Sequence, residues 1–169
     1  AEKGHAPAVC ALGLCYEVGR GVEEDKERAV ELYRQAADMG SARAQCNLGY
    51  CYYRGIGVAE DDSEAVEWFA RSAQQDYPRA QYLLGQCCEY GYGVERDIDQ
   101  AAALYQKAWE GGHVPAACAL GVCYETGSGV EEDRARALEL YRQGAEAGDA
   151  RAQCCLGFCY YQIGRASCR

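Results

Sequence analysis

The dipeptide Leu-Gly returns every 36 residues, at Leu12-Gly13, Leu48-Gly49, Leu84-Gly85, Leu120-Gly121 and Leu156-Gly157. A strict period of this length restricts the chain to stacked copies of one small supersecondary unit. Other residues keep the same register. Cys15, Cys51, Cys87, Cys123 and Cys159 each stand three residues after the leucine. Tyr16, Tyr52, Tyr124 and Tyr160 follow, with Cys88 in that place in the third copy. A Gly-x-Gly-Val segment comes next, at 19–22, 55–58, 91–94 and 127–130. An aspartate stands three residues after each valine: Asp25, Asp61, Asp97 and Asp133. A longer period overlies the first. Residues 4–53 and 112–161 agree at 36 of 50 positions, as a duplicated three-repeat block would.

Each unit reads as two helices. In the first copy, Ala8, Leu12, Cys15 and Tyr16 share one face of a helix A expected over 8–18. The Gly-x-Gly segment ends it, because glycine accepts the left-handed geometry of a helix C-terminus. Ala29, Leu32, Tyr33 and Ala36 share one face of a helix B expected over 26–39. The four aspartates are placed as N-caps, with Glu64 and Gln100 positioned to complete capping boxes. Gly40, Gly112 and Gly148 close helix B, and Asp76 breaks that pattern. Small Ala8, Ala44, Ala80, Ala116 and Ala152 allow helix A to approach its neighbour closely. One such pair cannot bury its own apolar face, so the copies must stack.

The 36-residue unit A-x-x-x-L-G-x-x-Y-x-x-G-x-G-V-x-x-D-x-x-x-A, as in 8–29, resembles the Sel-1-like repeat family, a subclass of tetratricopeptide-like helical repeats. The resemblance covers residues 1–162. It implies an all-α fold, an α-solenoid coiled as a right-handed superhelix of helix-turn-helix repeats. It also implies a protein-interaction scaffold whose helices A line a concave groove. Four full repeats start near 6, 42, 78 and 114, with partial repeats at 1–5 and 150–162, forming one array. Residues 1–4 match the end of helix B, as in 37–40 and 145–148. Residues 163–169 have no place in the repeat and are expected to be a sequencing or cloning artefact. The whole is expected to be a fragment of a longer bacterial array, with some self-association through uncapped ends.

The chain has 169 residues and a formal charge of −9. That balance argues against nucleic acid or an anionic membrane as the main partner, because both need clustered lysine and arginine. No run of 18 apolar residues spans a bilayer. Twelve cysteines admit three roles: disulfides, metal or packing. Cys10 and Cys15, Cys46 and Cys51, Cys118 and Cys123, and Cys154 and Cys159 are each five apart on one expected helix. That spacing separates Cα atoms by roughly 8–9 Å, and a disulfide needs less than about 7 Å. Equivalent cysteines in successive units lie farther apart still. Helix B carries no cysteine, so the bridge between helices B and A that secreted cysteine-rich relatives use is absent. The Cys-x4-Cys pairs each lie on one regular helix rather than in a zinc-type knuckle, and His5 and His113 are duplicated loop residues. Reduced cysteine acting as a small apolar core residue, most of all at positions 15, 51, 87, 123 and 159, is the expectation. Neither metal nor cofactor is expected, and the location is expected to be cytoplasmic.

No nucleophile, base and orienting group stand in catalytic spacing, so no enzyme activity is expected. The Gly-x-Gly-Val segments follow helices and read as turns. The acidic runs 23–25, 60–62 and 131–133 read as helix caps, with a weak cation site as the alternative. The face of helix A turned away from the core changes most between copies. It holds Arg43, Tyr50, Tyr53 and Arg54 in copy two, and Arg79, Tyr82, Gln86, Glu89 and Tyr90 in copy three. Arg151 and Phe158 hold equivalent places in copy five. Arginine and tyrosine anchor interfaces by joining apolar area to polar tips. A groove for an acidic and apolar peptide or protein segment is the functional expectation. The alternatives are a secreted cysteine-rich relative with hydrolase-like, β-lactam-binding activity, and a structural spacer in a larger protein.

Overall fold

A computed structural model describes residues 5–167, with side chains up to Gln162. The partial-repeat residues 1–4 and Cys168 lie outside the described residues. Helices A are α1 (Ala6–Val18), α3 (Ala42–Arg54), α5 (Pro78–Tyr90), α7 (Pro115–Thr126) and α9 (Ala150–Ser167). Helices B are α2 (Lys26–Asp38), α4 (Asp62–Ala73), α6 (Ile98–Glu110) and α8 (Arg134–Glu146). Each helix A packs on the helix B that follows it, and each helix B packs on the next helix A. The result is a solenoid of αα-hairpins.

One large ring per unit organises the core. Tyr33, Phe69, Tyr105 and Tyr141 are fully buried, each lying against the glycine of its own Leu-Gly pair. A Cβ added at Gly49 would meet the Phe69 ring at 2.8 Å, and one at Gly85 would meet Tyr105 at 2.7 Å. The period therefore keeps glycine because the ring occupies the space of a side chain. Ala44, Ala80, Ala116 and Ala152 are buried where the helices meet, as their size implies. Ala8 and Leu12 are exposed, because no described helix lies over the outer side of α1. Leu48, Leu84 and Leu120, covered on both sides, are buried.

Each N-cap aspartate accepts a hydrogen bond from the backbone N–H three residues on: Arg28, Glu64, Gln100 and Arg136. The capping boxes expected at Glu64 and Gln100 do not close. The Asp61 and Asp97 N–H groups donate instead to the carbonyls of Tyr52 and Cys88, tying the loop back to helix A. Asp25 and Asp133 do the same to Tyr16 and Tyr124, so the cap N–H has no need of a side-chain acceptor. The second glycine of the loop is fixed by contact. A Cβ at Gly57, Gly93 or Gly129 would strike the backbone of the preceding helix B near its start.

Three boundaries differ from the sequence expectation, one of them the end of helix B in copy one, at Asp38 rather than Met39. Helix A of copy one begins at Ala6, two residues early, with proline in its first turn. In copy five the Arg54-Gly55 stop is replaced by Gln162-Ile163, and α9 runs on to Ser167.

The 11 described cysteines are free thiols. Cys51, Cys87 and Cys123 are buried at the A–B contact, whereas Cys15 and Cys159 are only half-buried in the outermost helices. Burial pushes the thiol pKa of Cys51 and Cys87 up to about 12, and that of Cys46 up to about 11. One close pair was not anticipated. The Sγ atoms of Cys118 on α7 and Cys155 on α9 lie 3.7 Å apart, one repeat plus one residue removed in sequence. The pair lies neither within one helix nor at equivalent repeat positions, so neither spacing points to it.

Candidate interaction surface on the helices A

The exposed face of helix A is built on the seams between repeats. Arg79, half-buried at the start of α5, reaches back to α3. Its Nη1 donates to Asn47 Oδ1 at 3.2 Å, and its guanidinium carbon sits 5.3 Å from the Tyr50 ring centroid. Tyr82 is buried rather than open. Its ring lies 4.9 Å from His113 and 5.7 Å from Tyr105, and its Oη accepts from Gln86 Nε2 at 3.1 Å. Burial holds the Tyr82 hydroxyl above its ordinary pKa, and burial followed by the Arg79 charge holds His113 below its own. Arg151 is exposed at the start of α9, and the neighbouring Tyr82 hydroxyl holds its pKa above the ordinary value. Tyr53 and Tyr90 are joined through Tyr92, with centroid separations of 6.0 and 5.6 Å.

Glu89 has a structural partner. Tyr105 Oη donates to it, as Tyr33 donates to Glu17 and Tyr141 to Glu125. Copy two replaces both members together, with Phe69 for the tyrosine and Tyr53 for the glutamate. A buried hydroxyl needs an acceptor, and a buried phenyl ring needs none. The glutamate at this position follows the core ring. Phe158 lines a cavity of about 480 Å³ with Glu125, Thr126, Arg134, Leu138 and Gln162. Arg43 and Arg54 are exposed on α3.

Tyr92, Asn47 and His113 escaped the sequence reading of this surface. Tyr92 is the variable residue of a Gly-x-Gly turn, where the other copies carry Arg20, Ile56 and Ser128. Its difference from those copies was a usable signal. Asn47 and His113 join the surface only through seam contacts that no single helix pattern reveals.

The ion pairs are unevenly placed, although Arg34, Lys107 and Arg136 on helices B are, among the described residues, also without a carboxylate partner. Among the described residues, the ion pairs are Lys26–Glu24, Arg28–Glu31, Arg71–Glu67, Arg134–Glu132 and Arg142–Glu139. All lie on helices B or the loops leading into them. The helix-A arginines Arg43, Arg54, Arg79 and Arg151 have no carboxylate within 4.0 Å among the described residues, in a chain of net charge −9. Among those residues no cluster of three or more metal-ligating side chains occurs, and no helix is long and apolar enough to cross a membrane.

A solenoid of paired helices with one variable face defines the class of α-helical repeat proteins. Residues 6–41, 42–77, 78–113 and 114–149 each match the Sel1 repeat, and the chain belongs to that family. Sel1 repeat proteins are generally protein-interaction scaffolds. The chain is similar to the crystal structure of a Sel1 repeat protein from Oxalobacter formigenes, at 39% identity and a TM-score of 0.86. That likeness covers 92% of this chain and 63% of the other. It is also similar to c5321, a protective antigen of uropathogenic Escherichia coli with an SLR fold, at 41% identity and a TM-score of 0.86. There 95% of this chain covers 34% of that one, so the chain spans only part of either relative's length. Helicobacter pylori cysteine rich protein B shares the fold at 19% identity and a TM-score of 0.60, over 76% of this chain and 92% of that one. No curated protein matches the chain.

Proposed function

We propose that the chain is a non-catalytic scaffold whose helix-A face forms a concave groove for a peptide or protein segment rich in acidic and apolar residues. One observation carries this reading. Among the described residues the helix-A arginines Arg43, Arg54, Arg79 and Arg151 all lack carboxylate partners, whereas every ion pair, five in number, sits on the helix-B side of the same acidic molecule. Unpaired guanidinium groups beside tyrosine rings supply charge-assisted hydrogen bonds and flat apolar contact to such a segment. Tyr53, Tyr90 and Tyr92 form the aromatic ground, Arg43, Arg54 and Arg151 the accessible charge, and Arg79 with Tyr50 a stacked pair between them. Tyr82, Gln86 and Glu89 support the face from below, and Phe158 extends it at α9. We place the protein in the cytoplasm on the strength of its free thiols. Selection of random 12-residue peptides on the immobilised protein tests the groove. Enrichment of Asp and Glu beside Leu, Phe or Trp is expected, with capture weakening as salt rises. Enrichment of basic peptides would refute it.

A further inference from the structure

In the first and last seams between helices A, residue i of one repeat lies against residue i+37 of the next. In the first seam these are Cys10 and Asn47, whose Sγ and Nδ2 lie 3.8 Å apart. The next two seams carry Cys46 with Leu83 and Tyr82 with Ala119. The seam of α7 and α9 alone carries two cysteines, Cys118 and Cys155, with Sγ atoms 3.7 Å apart. A disulfide bond is about 2.05 Å long, so the two sulfurs have about 1.7 Å left to close. The two thiols differ in access. Cys118 is buried against Ala137, Tyr141 and Ala152, and Cys155 is half-exposed at the surface of the seam. Cys155 is therefore the thiol an oxidant meets first.

We infer that Cys118 and Cys155 form an oxidisable dithiol that closes to a disulfide between consecutive repeats, with a low-molecular-weight disulfide as the oxidant. Cys155 gives up its proton to solvent, and its thiolate attacks one sulfur of the oxidant. A mixed disulfide forms and one small thiolate leaves. Cys118 then loses its proton and attacks Cys155 Sγ, releasing the second small thiol. Two protein thiols thereby lose two protons and two electrons, and the oxidant becomes two thiols. The bond staples α9 to α7 beside the Arg151 guanidinium, which faces Cys118. It joins one helix A to the next, and this site does not depend on the reading of the groove.

The test treats the folded, fully reduced protein with oxidised glutathione, blocks the remaining thiols by alkylation and maps tryptic peptides by mass. Cys118 falls in peptide 108–134, which also holds Cys123. Cys155 falls in peptide 152–165, which also holds Cys154 and Cys159. A dithiothreitol-sensitive link between these two peptides is expected. It should persist in Cys123→Ser, Cys154→Ser and Cys159→Ser and vanish in Cys118→Ser and Cys155→Ser. Should either of those last variants unfold, persistence of the link in Cys123→Ser, Cys154→Ser and Cys159→Ser still decides, because it leaves Cys118 and Cys155 as the linked pair. A wild-type protein that stays fully alkylatable, stops at the glutathione adduct, or links Cys154 to Cys155 would overturn the inference. A link that survives Cys118→Ser would overturn it as well.

Discussion

The pairing of core ring and surface glutamate shows how far a single residue's identity is set by its neighbour. Tyr105 needs an acceptor for its buried hydroxyl, and Glu89 provides it. Glu89→Leu is expected to destabilise the fold by about 1–3 kcal/mol, the cost of an unsatisfied buried polar group. Tyr105→Phe combined with Glu89→Leu should recover most of that loss, because copy two is built without either polar group. Urea midpoints of the two singles and the double check this, and additive losses would contradict it. His113 carries a pH dependence. Burial and Arg79 hold its folded pKa below the ordinary 6.5. Below that ordinary value the unfolded chain takes up a proton that the folded chain resists. Stability should therefore fall as pH drops from about 6.5 toward the folded pKa. Comparing His113→Gln with wild type across that window should show the variant losing less. Sequence alone placed His113 in a turn, and only the seam puts the Tyr82 ring against it.

At the scale of elements, most of the fold was legible. The periodic Leu-Gly, Gly-x-Gly and Asp positions gave every helix to within two residues at its start, because each residue acts locally: a cap, a left-handed stop, a close approach. The capping boxes were misjudged for a non-local reason, since the cap N–H groups of Asp61 and Asp97 are taken by helix A carbonyls. Glu64→Ala should consequently change stability little, while Asp61→Ala should cost about 1 kcal/mol through loss of its bond to the Glu64 N–H. Thermal midpoints of the two variants separate these cases. Gly85→Ala should cost more, about 1–3 kcal/mol, because its Cβ would lie 2.7 Å from the buried Tyr105 ring.

For the whole molecule, the candidate surface was only partly legible. The variable face of helix A is readable from register, because one side of each helix repeats and the other does not. Which members stay open was not readable. Tyr82 sinks into a seam and Glu89 turns to Tyr105, while Tyr92 joins from a loop. The seams also govern thiol chemistry. Cys154 is exposed and should alkylate early in the native protein, whereas Cys46, Cys51 and Cys87, buried and raised in pKa, should react only on unfolding. Timed alkylation read by mass spectrometry checks that order. The uneven placement of ion pairs between the two helix types bears most directly on function. Calorimetric titration with one acidic peptide from the selection would compare two charge reversals: Arg43→Glu with Arg54→Glu and Arg151→Glu on helices A, and Arg28→Glu with Arg71→Glu and Arg142→Glu on helices B. The helix-A set should weaken binding by about tenfold or more, with the helix-B set within about twofold of wild type. Equal losses in both sets, or a loss confined to the helix-B set, would contradict a partner surface on the helices A.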